Sequence, residues 1–128
     1  MYDAAGAVVA MGAGADAQKF VGVAARELKS ALTYLDQSGG AYAPQEAVPV
    51  FMRGCVNVKC QNGVPKLGGA VYVRVAANEA LPNAAVGGFE AVEDSTAANT
   101  VQLANCQWAG PADANGVAEL RILTVNNA

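Results

Sequence analysis

The chain has 128 residues, enough for one domain with a real core and too few for two. Its residues are 53% hydrophobic but only 6% aromatic, and its formal net charge is -3, with eight scattered basic residues. That balance argues against a nucleic-acid-binding face, which concentrates Lys and Arg. The absence of histidine removes Ser-His-Asp and Cys-His arrangements, His-ligated zinc and imidazole acid/base chemistry.

In chain order, residues 1–18 are Ala/Gly-rich and read as an extended N-terminal arm preceding a β-rich domain over residues 19–128. A secretory signal is not read there: no basic n-region is present, Asp3 intrudes, and Gly6, Gly12 and Gly14 break the apolar run. Glycines 12, 14 and 22 lack the Gly-Lys-Ser/Thr of a phosphate loop. Residues 20–35 are ambiguous. Leu28, Leu32 and Leu35 recur at helical spacing, whereas Phe20-Val21-Gly22-Val23 reads as strand. Residues 36–45 read as loop, with Gly39, Gly40 and Pro44 interrupting any regular pattern.

Short apolar runs follow at Val48 to Met52, Cys55 to Cys60, Ala70 to Ala76, Gly88 to Val92, Val101 to Trp108 and Val117 to Val125. Turn signals separate them, including Asn62-Gly63 and Asn115-Gly116, pairs that close tight hairpins. The expected architecture is mostly β: a small single-domain barrel or sandwich of short antiparallel strands. No run approaches the ~18 to 20 uninterrupted apolar residues of a membrane span.

Three cysteines without a secretory signal suit a reducing compartment better than a disulfide framework. In a strand, Val56, Val58 and Cys60 share one face, while Cys55, Asn57 and Lys59 share the other. Cys55 and Cys60 therefore point apart, about 16 Å from each other, beyond disulfide or shared-metal reach. Cys60 reads as a core residue and Cys55 as partly exposed, while Cys106 is free to meet Cys60 across a sheet. Glu90, Glu93 and Asp94 form the densest acidic patch; lacking a calcium-loop pattern, they read as a solvated strand end. Asp113 to Gly116 reads as a hairpin turn. Trp108 reads by default as core, with a partner anchor as the alternative. Arg53, Arg74 and Arg121 lie in strand runs, where arginines usually face solvent.

The stretch Ala47-Val-Pro-Val-Phe-Met-Arg-Gly54, with Val56-x-Val58, Gly68-Gly-Ala-Val-Tyr-Val-Arg74 and Ala112-Asp-Ala-Asn-Gly-Val-Ala-Glu-Leu-Arg-Ile122, resembles the structural cement (capsid decoration) proteins of tailed bacteriophages. Phe20-Val-Gly-Val-Ala24 also fits and tips that segment toward strand. The resemblance covers about four-fifths of the chain. It implies a virion protein on the outer capsid surface, made in the host cytoplasm, that bridges neighbouring major capsid proteins and holds the DNA-filled head. A homodimer or homotrimer is expected, with no catalytic residues, cofactor, metal, nucleic acid or membrane partner. Candidate contacts with the capsid or between subunits are Tyr2, Val8, Val9, Tyr42, Arg53, Arg74 and Trp108. The alternative is a phage tail or surface-adhesion module recognising a host receptor or carbohydrate. Such a module needs clustered exposed aromatics and polar residues, and the single Trp108 with Tyr42 gives that reading little support.

Overall fold

In the computed structural model the described residues are 1–25, 42 and 45–124. Among them the chain forms eight short strands and two single-turn 3-10 segments, Ala17–Lys19 and Ala97–Asn99. The strands are β1 (Val23–Ala24), β2 (Val50–Phe51), β3 (Gly54–Lys59), β4 (Tyr72–Arg74), β5 (Phe89–Glu90), β6 (Thr100–Gln102), β7 (Cys106–Trp108) and β8 (Val117–Ile122). They build a β1-β2 ribbon and two three-stranded antiparallel sheets, ordered β3-β8-β7 and β5-β4-β6. No sheet closes into a barrel, so of the two expected architectures the sandwich is the one the topology fits. Of the ambiguous stretch 20–35 only residues 20–25 are described, and they include strand β1; residues 26–35, most of the loop read at 36–45, and Val125 lie outside the described residues.

Alternation in β3 follows the sequence. Val58 and Cys60 are buried and Val56 is half-buried, whereas Cys55, Asn57 and Lys59 are exposed. Both Asn-Gly pairs turn through left-handed glycines, with φ of 82° at Gly63 and 78° at Gly116. At the second, Asp113 Oδ1 accepts from the Asn115 and Val117 amides, at 2.8 and 3.0 Å.

The run expected as one strand from Val101 to Trp108 is instead two strands in different sheets. The chain turns at Leu103–Asn105, where the Cys106 amide donates to the Leu103 carbonyl and the Asn105 side chain donates to the Thr124 carbonyl. This corner carries the backbone from β6 to β7 and buries Leu103. The sheets also meet beyond β3. Cys60 forms a parallel bridge with Phe89, and the Gln61 amide donates to the Phe89 carbonyl at 2.9 Å.

One apolar cluster serves both sheets: Val58, Cys60, Val71, Val73, Leu103, Cys106, Trp108, Ala118, Leu120 and Ile122, with Met11, Phe20 and Val23. Phe20 and Phe89 meet edge to face, centroids 6.4 Å apart. The β1-β2 ribbon packs so closely that a Cβ on Gly22 would stand 2.2 Å from the Phe51 carbonyl oxygen, so only glycine fits there.

All three cysteines are free. Cys106, which the sequence left free to meet Cys60, does not do so. Cys106 pairs with Ile122 and Cys60 bonds to Gly116, so they occupy opposite ends of β8. Six residues along a strand separate those ends by about 20 Å. Burial pushes the Cys60 thiol up and the Cys106 thiol up to about 12, so both remain protonated.

Candidate interface and its supporting core

The segment expected as an extended arm folds back on itself. Asp3 Oδ1 accepts from the Ala5 and Ala7 amides at 2.9 and 2.8 Å, and Gly6 turns at φ 84°. Tyr2 and Val8 then pair as an antiparallel bridge, and the Val9 amide donates to the Met1 carbonyl at 2.8 Å. Met11 sinks into the common core, anchoring this small hairpin to the domain. Asp16 caps the following turn by accepting from the Gln18 and Lys19 amides.

The hairpin presents apolar groups to solvent: Tyr2 is 55%, Val8 43% and Val9 37% exposed. Val8, Val9 and Tyr42 also line a cavity of about 520 Å³, with Met11, Val50 and Phe89 among its other walls. The Tyr42 hydroxyl donates to the Ala25 carbonyl. Four of the expected contact residues, Tyr2, Val8, Val9 and Tyr42, thus gather in one region. Arg53 is exposed at the β2–β3 corner.

Arg74 and Trp108 are different. Both are fully buried within the chain and present no surface to a partner. The expectation that Arg74 faces solvent is corrected by an ion cluster. Arg74 Nε donates to Glu90 Oε1 at 2.6 Å, and its Nη2 donates to Glu90 Oε2 at 3.0 Å and Asp94 Oδ1 at 3.1 Å. Gln61 and Asn62 also donate to Glu90, and Asn78 and Asn99 to Asp94. Glu90 and Asp94 are therefore not a solvated strand end; of the three acids only Glu93 is exposed. A charge leaves water only with partners, and the loops at 61–62, 76–78 and 94–99 fold over this face of β4 to supply them.

The cluster has a pH signature. The Asn99 amide foremost, then Asn78, Arg74 and the Thr96 amide, hold the Asp94 carboxyl down from 3.8 to about 2 against the opposing effect of burial. The native state thus binds fewer protons than the unfolded chain between those values. The resulting stabilisation is complete above the unfolded value and disappears as pH falls toward 2. Melting temperature measured from pH 5 to 2 is expected to fall steeply below pH 4, with a flatter acid limb in Asp94→Asn.

Among the described residues no three His, Cys, Asp or Glu side chains are placed to hold one metal ion, and no helix is long and apolar enough to cross a membrane. Both buried carboxylates are already committed to Arg74. The described residues combine a locked ion cluster in the interior with an apolar region at the surface, an arrangement that suits binding by shape and burial.

Comparison with known sequences decides the setting in which that surface works. The sequence model of the XM1 gp53 minor capsid protein matches residues 1–122. The chain belongs to this phage minor capsid protein family. It is a structural component of a virion, and as a minor capsid protein it associates with capsid components. Comparison with curated proteins and with solved structures returned no match. The matched range, residues 1–122, takes in the N-terminal hairpin as well as the sheets.

Proposed function

We propose that the chain sits on the outer surface of the phage head, as a homodimer or homotrimer, and cements neighbouring major capsid proteins against internal DNA pressure. The observation carrying this reading is the minor-capsid family match over residues 1–122. The exposed apolar hairpin supports it by giving the protein something to bury. Tyr2, Val8, Val9, Tyr42 and Arg53 are the proposed contact residues. Each contact is modest, and repetition over many copies multiplies the effect.

Heads assembled with the protein are expected to survive heating and osmotic shock better than heads assembled without it. Equal survival, with no bound density outside the shell, refutes the proposal. Val9→Asp places a charge where burial on the shell requires an apolar group, and head occupancy by quantitative electrophoresis is expected to drop about tenfold or more. Because Val9 is exposed, the variant's melting temperature should match that of the native chain.

A further inference from the structure

The hydrogen-bond register of β8 assigns every backbone group of β3. The Ala109 amide donates to Glu119 and the Leu123 amide to Asn105, so Glu119, Arg121 and Leu123 bond toward β7. Ala118, Leu120 and Ile122 therefore bond toward β3, where they face Val58, Val56 and Gly54. The amides and carbonyls of Cys55, Asn57 and Lys59 are left pointing outward, away from the sheet. No described residue bonds to those three backbone units, and their side chains are exposed.

The outer edges of the other strands in the two sheets are shorter and are covered wholly or in part. Gly68 and Gly69 pair with Trp108 on β7, with N···O distances of 2.7 and 3.0 Å. The 60–62 segment pairs with β5, and the Thr100 amide at the start of β6 bonds to Ala97. The edge of β3 is thus the longest open strand edge among the described residues. Natural sheets usually shorten, twist or cover such an edge. This one also has a sign. Arg53 and Lys59 are exposed and Arg121 is half-exposed across β3 and β8, against the single carboxylate Glu119, in a chain whose net charge is -3.

We infer that the β3 edge receives an added strand: an extended segment of the capsid shell bearing Asp or Glu at alternate positions. Pairing at Cys55, Asn57 and Lys59 satisfies the outward backbone groups, and the acids meet Arg53, Lys59 and Arg121. A second copy of this chain is a poorer occupant, because antiparallel pairing of β3 with itself would bring two basic edges together. The inference rests on the shell-binding reading above and gives it a specific contact.

The test adds purified native chain, Asn57→Pro and Asn57→Thr to heads assembled without it. Proline removes the central outward amide while leaving the bonds of Val56 and Val58 to β8 intact, a position at which sheets tolerate proline. Asn57→Pro is expected to lower head occupancy at least about tenfold, Asn57→Thr to preserve it, and added salt to weaken the native chain. Hydrogen exchange resolved to single amides reads the same event without mutation. On binding, Cys55, Asn57 and Lys59 should gain protection, whereas Val56 and Val58 are protected already in the free protein. This second measurement decides the matter should the proline variant fail to fold. Native chain and Asn57→Pro binding equally, with no new protection at the three amides, overturns the edge and leaves shell binding standing. A native chain that does not bind at all overturns both. Protection of the three amides in the free protein, with the mass of a dimer, overturns the acidic strand in favour of a second copy.

Discussion

Arg74→Met is expected to cost about 3–5 kcal/mol, because it strands two carboxylates in the interior without their cation. Against a total of roughly 5–15 kcal/mol for a domain of this kind, most of the stability is then gone. The loss comes less from the attraction removed than from the buried charge left behind. Glu90 keeps Gln61 and Asn62, and Asp94 keeps Asn78 and Asn99, but neutral amides do not balance two negative groups. Two variants separate the causes. Arg74→Lys retains the charge but cannot reach Glu90 with two donors and Asp94 with a shared one, so it should fall between native and methionine. Arg74→Met with Glu90→Gln removes one of the stranded charges and should regain part of the loss. Denaturant midpoints for the four proteins test this; an Arg74→Met variant within 1 kcal/mol of native, on the scale of an exposed substitution, refutes it.

Trp108→Ala is the second large effect, expected at about 3–5 kcal/mol from lost burial and the void left behind. The indole is fully buried beneath the 68–69 loop, whose backbone pairs with it on both sides. Its Nε1 hydrogen has no bonding partner among the described residues. Desolvating that N–H already costs the native protein something, typically about 1–3 kcal/mol for an unsatisfied polar group. Trp108→Phe removes this cost along with the second ring, so its penalty should be less than half that of alanine. Thermal melts of the two variants decide it: equal penalties would mean that the indole hydrogen is not a burden.

The strands were legible because their punctuation is local. Asn62-Gly63 and Asn115-Gly116 mark turns through the conformations glycine allows, and the alternation through Val56, Val58 and Cys60 identifies the buried face of β3. Trp108 as a core residue follows from size and apolarity alone. Arg74 was not legible by the same logic. Val71, Val73 and Val75 correctly occupy the core face, which puts Arg74 on the other face, ordinarily the wet one. That face is dry because three distant loops fold over it. Only the β4–β5 register, with Tyr72 opposite Glu90, brings the acids within reach. The available signal was compositional: a lone arginine in one valine-rich run and an acidic cluster at the end of the next. Turning that into a contact needs long-range pairing. Within the candidate interface, Tyr2, Val8 and Val9 were noticed as apolar groups, but their gathering depends on Asp3, whose side chain turns the segment back on itself.

The position of β8 bears on how the protein is made. It is the last strand in the described chain, yet it lies in the middle of its sheet, and roughly sixty residues separate Lys59 from its partner Val117. At synthesis rates of about 5–20 residues per second, β3 leaves the ribosome some 3–12 seconds before anything can pair with it. During that interval the sheet does not exist, and a polypeptide stalled before residue 117 never acquires it. The complete three-stranded sheet, with the β3 edge it presents, therefore exists only in copies in which β8 has been translated.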